Sequence, residues 1–505
     1  MASVIPDEIH ALVPDELKSD YGIYWQEKTQ RYYVYRDLGH IYDPKKGRSH
    51  PKRIPLGSIK DGTFSLSPSY KKNQEIAALK RQVSTLSGEE SVDTVEETIT
   101  KSGSKGLVKQ IRKAVKEVGE CRQEGKIEYP LETVLFVALL AACGGYTSAV
   151  SIAIYWRQNR AELTELLGDF PESDISHDTV NRILRLISPE HFQELLRRVT
   201  VPLVKTSCGR LLHIDGQAVE ATKTVDSLAG RYVFNAYDST NGLALASKLI
   251  GEKKNEISEA QNLLNMLDLQ PGDIVTADAM NTQKSLAKYL HERGAHYCFA
   301  VKDNHPTLTS EIRALFSHTN PDQIESFEDV DAGHDRVETR RIRVISGRLL
   351  SKIFKTEWAG LGNGSIVLAT TQTEKKSRTS IGTDRGEMQR YFITTLEATK
   401  ENAAEMMRIV RRHWSIENDL HWVLDTAFDQ GRIQCKNENY LQNRLTLNKM
   451  GLNILRAAQN AEQARGAKKI SVKSYMQLCN TAGGALDVIS LIPDVDSAMS
   501  EDVKG

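Results

Sequence analysis

The chain has 505 residues, 40% of them hydrophobic and 26% charged, and its 66 Lys and Arg balance its 66 Asp and Glu. The length exceeds one hydrophobic core and implies about two to four domains, and the composition is that of an ordinary soluble protein. A formal net charge of zero excludes a nucleic-acid partner recruited by overall basicity, so any such contact must rest on local patches.

Six cysteines (Cys121, Cys143, Cys208, Cys298, Cys435, Cys479) are scattered without a Cys-x-x-Cys pair. That argues against a disulfide framework or structural zinc and suits a reducing, cytoplasmic setting. The opening residues MASVIPDEIHALVPDE are acidic and lack the apolar stretch of a signal peptide. The longest apolar run, 134–143, is too short to span a bilayer and predicts a buried helix, with no membrane partner.

Residues 21–70 alternate aromatic and β-branched residues with Lys-Asp-Gly and Pro-Lys-Lys-Gly punctuation, which predicts three or four short antiparallel strands. Basic residues, Arg48 and Lys52 among them, interleave there with Tyr32, Tyr33, Tyr35 and Tyr42. Such a sheet suits a DNA backbone or groove, and equally a solvated basic face. An amphipathic helix over 71–86 follows, with Ile76, Leu79, Val83 and Leu86 on one face, and completes a unit over 1–86. The Ser/Glu/Thr-rich segment 87–104 reads as a linker. It leads into a basic helix through Leu107, Ile111 and Val115, so that linker and helix fill 87–127.

Residues 128–207 read as helical throughout. Ser176 stands as an N-cap three residues before Thr179, and helix, turn and polar-fronted helix resemble a helix-turn-helix. On that reading Ser176, His177, Thr179, Asn181 and Arg182 face DNA; an all-helical cap on the next domain explains the pattern as well. From residue 208 the pattern switches. LLHIDGQAV, RYVFNAYDST and ALASKLIGE are strands, ISEAQNLLNMLD a helix, DIVTADAM a strand, TQKSLAKYLHERG a helix and HYCFAVK a strand. That order is the order of a mixed α/β, RNase-H-like sheet, here divided between 208–302 and 391–460. Residues 303–390 read as a β-rich insertion, and 461–505 as a weakly patterned tail.

No Gly or Pro interrupts 401–430, which predicts one long helix with Glu417, His421 and Asp425 a turn apart on one face and Trp414 three residues back. Asp215 and Asp278 interrupt apolar strands, where a lone carboxylate is costly to bury. On adjacent strands, with Glu417 brought over them by the helix, they form a set of hard oxygen ligands for two Mg²⁺ ions, with Mn²⁺ as a substitute. Such ions activate a water or 3′-hydroxyl and stabilise the leaving oxygen in phosphodiester displacement.

The segments H-I-D-G-Q, K-N-E-I, T-A-D-A-M-N-T-Q-K, H-Y-C-F-A-V-K-D-N and R-R-H-W-S-I-E-N-D-L-H-W-V-L-D occur in that order. Together they resemble the DDE-type insertion-sequence transposases of the H-repeat-associated kind, over about residues 128–456. The resemblance implies a catalytic and metal-binding triad of Asp215, Asp278 and Glu417 on an RNase-H-like fold. It also implies cleavage at transposon terminal inverted repeats and strand transfer into target DNA, by at least a dimer. Related transposases place Arg four residues before the glutamate and Lys seven after it, where this chain has His413 and Leu424. Around the triad, His421, Asp425, His413 and Lys302 are candidate supports. Arg411, Arg412, Lys302 and Trp358 are candidate DNA contacts, Trp358 by stacking on a flipped base or as a core aromatic. Two other functions share these residues: a catalytically retired DNA-binding regulator, and a nuclease that cuts without joining.

Overall fold

The computed structural model describes residues 5–14, 17, 21–27, 29–43, 48–67, 105–123, 125–223, 230–251, 256–333, 336–376 and 383–493. The predicted helix at 71–86, the linker at 87–104, the Lys254–Asn255 pair, the end of the tail from 494 and the side chains of Arg48 and Lys52 lie outside that description. The chain divides into two compact units, Met1–Ser91 and Val92–Gly505.

In the first unit a short helix, α1 (Asp7–Ala11), precedes strands β1 (Tyr21–Gln26), β2 (Arg31–Asp43), β3 (Arg48–Lys60) and β4 (Thr63–Leu66). They form one antiparallel sheet in sequence order. Four strands match the expectation, but β2 and β3 run 13 residues each and are not short. Register shifts between Val34 and Tyr35 and between Asp37 and His40 let the two long strands bend and stay paired. Asp61 and Gly62 both take positive φ (49° and 71°) between paired Lys60 and Thr63, the two-residue hairpin geometry that Asp-Gly favours. Val34, Leu56 and Ile59 form the core with Val13 and Leu17, and the rings of Tyr24 and Tyr33 stack 5.5 Å apart.

The second unit opens with helices α2 (Lys105–Lys116), α3 (Leu131–Cys143), α4 (Ala149–Gln158), α5 (Arg160–Leu167), α6 (His177–Leu186) and α7 (Pro189–Thr200). Next come β5 (Leu211–Val219), β6 (Arg231–Asp238), β7 (Leu243–Ile250), α8 (Glu256–Asn265), β8 (Ile274–Ala277), α9 (Lys284–His291) and β9 (His296–Val301). They are followed by α10 (Pro306–His318), β10 (Glu325–Gly333), β11 (Arg336–Ser346), α11 (Lys352–Glu357), β12 (Ser365–Lys376) and β13 (Thr383–Thr394). The chain continues through α12 (Lys400–His413), a π-helical turn (Ile416–His421), α13 (Trp422–Ala427), α14 (Glu438–Ala464), α15 (Val472–Leu478) and α16 (Ala482–Ser490).

Nine strands form a single mixed sheet, in the order β10-β11-β12-β13-β9-β8-β5-β6-β7. β5, β8 and β9 run parallel, and the other pairings are antiparallel. The segment read as an insertion therefore extends the same sheet, with β13 pairing directly with β9 from Tyr391 to Thr394. One face packs Leu212, Ile214, Val275 and Ala277 into a core that includes Trp358. The opposite face packs Leu211, Ile274 and Cys298 against Ala403, Met406, Met407 and Ile409 of α12.

α14 is buried nearly all round. Its polar side chains are not solvated but bonded to neighbours. Asn453 donates to the Ala244 carbonyl (2.8 Å) and accepts from the Ala244 N–H (2.8 Å), and Gln442 donates to the Ser247 carbonyl (3.0 Å). These amides satisfy the outer edge of β7, the last strand of the sheet, as another strand would. Asn443 donates to the carbonyls of Leu184 and Ile187 at 2.9 Å each, tying down the end of α6. A Cβ at Gly451 would meet the Ala142 carbonyl at 2.7 Å, so glycine permits the close approach of α14 to α3. The helical region 128–207 is thus packed on the helix that covers the sheet edge. Residues 461–493, read as a weakly patterned tail, hold α15 and α16, both packed against α14. Among the described residues no helix is long and apolar enough to cross a membrane.

Candidate active site

Side-chain alternation along β5 sends Leu211, His213 and Asp215 to the α12 face of the sheet and Leu212 and Ile214 to the other. On β8 the same alternation sends Ile274 and Thr276 to the α12 face. The parallel pairing runs Leu211 with Ile274 through Ile214 with Ala277, so the next step on each strand is Asp215 beside Asp278. Both aspartates are half-buried. Beneath them lies a buried polar line, in which the Thr276 hydroxyl stands 2.6 Å from His213 Nδ1 and 2.7 Å from His413 Nδ1. His213 Nε2 also meets the Ser239 hydroxyl at 2.8 Å. His413, at the end of α12, thereby anchors that helix on β8 directly under Asp278.

Each carboxylate has its own neighbours. Asp278 Oδ1 accepts from the Asn281 backbone N–H (2.9 Å) and from Asn281 Nδ2 (3.0 Å). Asp215 lies opposite Asn235 in the β5–β6 register, and its Oδ2 is 3.8 Å from His421 Nδ1. Asn235 Nδ2 donates to the Val233 carbonyl and to His421 Nε2 (3.0 Å), which leaves the imidazole proton on Nδ1, toward Asp215.

The long helix predicted over 401–430 is not a single α-helix. It widens into the π-helical turn Ile416–His421, and the three side chains do not form one exposed face, because His421 is buried while Glu417 and Asp425 are exposed. Glu417 is exposed and His421 is buried against Asn235. Asp425 accepts from the Gly431 N–H at 3.0 Å, holding the following loop, and burial raises its pKa above the usual carboxylate value. Among the described residues no three His, Cys, Asp or Glu side chains are gathered tightly enough to hold a metal ion.

The remaining candidates separate clearly. Trp358 is fully buried in the core, edge to face with His305, with no ring surface exposed. Lys302 is exposed just past the end of β9. Arg411 is half-exposed and donates to Asp329 on β10 (3.0 Å); Arg412 is exposed. On α6 the Ser176 side chain accepts from the Thr179 N–H (3.1 Å) as predicted, Val180, Ile183 and Leu184 face inward, and His177 and Arg182 are exposed.

Sequence reasoning missed Thr276, Asn235 and Arg390. Arg390 lies over the half-exposed Trp414 ring, 4.8 Å from its centroid. Both line a cleft of about 650 Å³ between β11–β13 and α12, together with Arg336, Arg340, Arg411 and Asn418. Asn418, one of these lining residues, is the chain neighbour of Glu417. Arginines alternating along a strand on one side of a groove are its only sequence signal, and that signal does not reveal what lies across from them.

Burial holds both site histidines neutral. His413 is pushed down to about 4, the Asp278 charge opposing the shift and Arg390 adding to it; His421 is pushed to about 3 by burial and by Lys449. An unfolded histidine titrates near 6.5. Between that value and about 4 the unfolded chain therefore binds protons that the folded chain does not, and stability falls as pH falls. Urea unfolding should show a lower midpoint at pH 5 than at pH 7.5, and His413→Gln should reduce the difference, the part due to His213 and His421 remaining. An unchanged midpoint would contradict the buried neutral assignment.

Residues 206–454 match the family model described as Transposase DDE domain, and residues 112–199 match the one described as DDE_Tnp_1-associated. The chain belongs to the DDE transposase family. Among its relatives, "Putative transposase YncI" of Escherichia coli O157:H7 is 27% identical over 369 residues, covering 72% of this chain and 90% of that protein. "H repeat-associated putative transposase YhhI" of Escherichia coli strain K12 is 26% identical over 355 residues, covering 69% of this chain and 90% of that protein. "Putative protein YbfL" of the same strain matches to the same extent. The four-stranded first unit of this DDE transposase family member lies outside both matched models.

Proposed function

We propose that the chain is a DNA transposase that binds the ends of its element, cleaves there and joins them to target DNA, with Asp215, Asp278 and Glu417 as its catalytic carboxylates. One observation carries this reading: Asp215 and Asp278 occupy the same level on neighbouring parallel strands, beneath the helix that bears Glu417. The order β7-β6-β5-β8-β9, with β5, β8 and β9 parallel, supports an RNase-H-like core.

Oxygen donors of this kind fit Mg²⁺ or Mn²⁺, and two carboxylates at adjacent strand ends favour a bound cation to offset their repulsion. Such ions supply activation of the attacking oxygen and stabilisation of the leaving one. Asp215 and Asp278 would hold them from the sheet and Glu417 from the helix. His421, neutral with its Nδ1 proton toward Asp215, steadies that carboxylate without competing for the metal's charge. The arginine-lined cleft beside Glu417 takes the DNA backbone, phosphates replacing acids such as Asp329 on Arg411 and Arg340. Exposed His177, Arg182, Arg412 and Lys302, and the Arg48 and Lys52 strand, add further phosphate contacts, and two copies hold two ends.

The test uses purified full-length chain and DNA carrying the inverted repeats that flank its gene. Cleavage dependent on Mg²⁺ or Mn²⁺, together with joining of pre-cut ends to a plasmid, is the expected result. Cutting without joining would make the protein a nuclease, and specific binding without either would make it a regulator.

A further inference from the structure

The turn that carries Glu417 is wider than the helices on either side of it. Such turns arise where side chains or packing intrude on the helical ladder, and two intrusions are visible here. The Asp419 carbonyl accepts from Arg456 Nη2 at 2.5 Å, and the His421 carbonyl accepts from Gln217 Nε2 at 3.2 Å. Neither donor belongs to the helix it bonds. Gln217 stands on β5, two residues beyond Asp215, and Arg456 stands on α14.

Gln217 is itself held in place. Gln430 Nε2 donates to Gln217 Oε1 at 2.7 Å, and Asn448 Nδ2 lies 3.5 Å from Gln430 Oε1. All three amides are buried, as is Arg456. Buried polar groups are costly unless bonded, and here the bonds that Gln217 and Arg456 donate end on the backbone of the wide turn.

Helical geometry explains why the register matters. His413 is docked on Thr276 of β8, and His421, eight residues later, on Asn235 of β6. In an unbroken α-helix eight steps of about 100° leave the second residue about 80° out of phase with the first. Absorbing one residue in a wider turn reduces the mismatch to about 20°, so both histidines reach the same sheet face. Glu417 lies between these anchors, and its direction depends on where the extra residue is taken up.

We propose that Gln217 and Arg456 are positioning residues for Glu417: by bonding the Asp419 and His421 carbonyls they fix the π-helical register that aims the glutamate at Asp215 and Asp278. The functional half of this inference rests on the metal-binding role proposed for the three carboxylates.

The experiment uses the full chain without DNA and reads Mn²⁺ affinity by titration calorimetry and amide hydrogen exchange at 416–421. Gln217→Met and Arg456→Met should each weaken Mn²⁺ binding by about tenfold or more. They should also speed exchange at 416–421 and leave exchange in β5, β8 and β9 unchanged. Arg456→Lys should recover part of both. Should Arg456→Met fail to fold, Gln430→Leu, which touches no carboxylate of the triad, should give the same pattern through Gln217. Unchanged exchange at 416–421 in the variants overturns the positioning role whatever the wild type binds. Wild-type protein that binds no Mn²⁺ overturns the metal-site reading, and the functional half of this inference falls with it.

Discussion

Asp278→Asn should lower strand cleavage by about three orders of magnitude or more, with DNA binding and the unfolding midpoint nearly unchanged. Metal-assisted displacement draws several kcal/mol of transition-state stabilisation from the ions, and each 1.36 kcal/mol is about tenfold in rate. Asparagine keeps the Oδ1 that accepts from the Asn281 N–H and Nδ2, so the turn after β8 keeps its bonds. What it loses is the charge. Asp215→Asn and Glu417→Gln should behave alike, Glu417 with the smallest effect on stability because its side chain is exposed. Because the three act as a unit, a double substitution should be little worse than a single one. Gel assays of end cleavage over a range of Mg²⁺ concentrations decide the matter. Wild-type rates from Asp278→Asn would remove the triad from the mechanism.

Much of this was legible because it is local. An Asp ending the apolar run Ile-Val-Thr-Ala, and another in Leu-Leu-His-Ile, mark strands whose acids need compensation, and both strands form where the pattern places them. The Ser176 cap and the Asp61-Gly62 hairpin were readable for the same reason: a few adjacent residues determine them. The π-helical turn was not readable. Residues 401–430 contain no Gly or Pro to break an α-helix, and the bonds to its carbonyls come from Gln217, upstream on β5, and Arg456, downstream on α14. α14 shows the same limit. Its Gln442, Asn443, Asn448, Lys449 and Asn453 are buried, and Gln442, Asn443 and Asn453 bond backbone groups of other elements, partners that the helix's own sequence does not indicate. For Trp358 the sequence leaves both a stacking ring and a core aromatic open, and its burial is set by distant elements of the sheet domain.

The level of Asp215 against Asp278 depends on register, and the register of β5 on β8 is set at its far end. Asp273 is fully buried and accepts from the Arg210 backbone N–H (2.8 Å), from Arg210 Nη2 (2.6 Å) and from the Gln270 N–H (2.9 Å). Arg210 Nη2 also donates to the Asp268 carbonyl (2.6 Å), and the Arg210 carbonyl accepts from the Ile274 N–H (2.8 Å). A slip of one residue on either strand would turn its aspartate to the opposite face, among Ile214 and Ala277. Removing one partner of a buried ion pair leaves the other charge uncompensated and costs about 3–5 kcal/mol. Asp273→Ala should therefore lose stability of that size, read as a lower urea midpoint of the full chain. The double substitution Arg210→Met with Asp273→Leu should recover much of it, since a well-packed apolar pair is often as stable as a buried ion pair. Cleavage separates the two roles of the pair: the double variant, stable but without the bonds that fix β5 to β8, should cut more slowly than its stability accounts for. Full cleavage by that variant would mean that the sheet alone sets the level of the two aspartates. A loss under about 1 kcal/mol from Asp273→Ala would mean that the pair is not the lock described here.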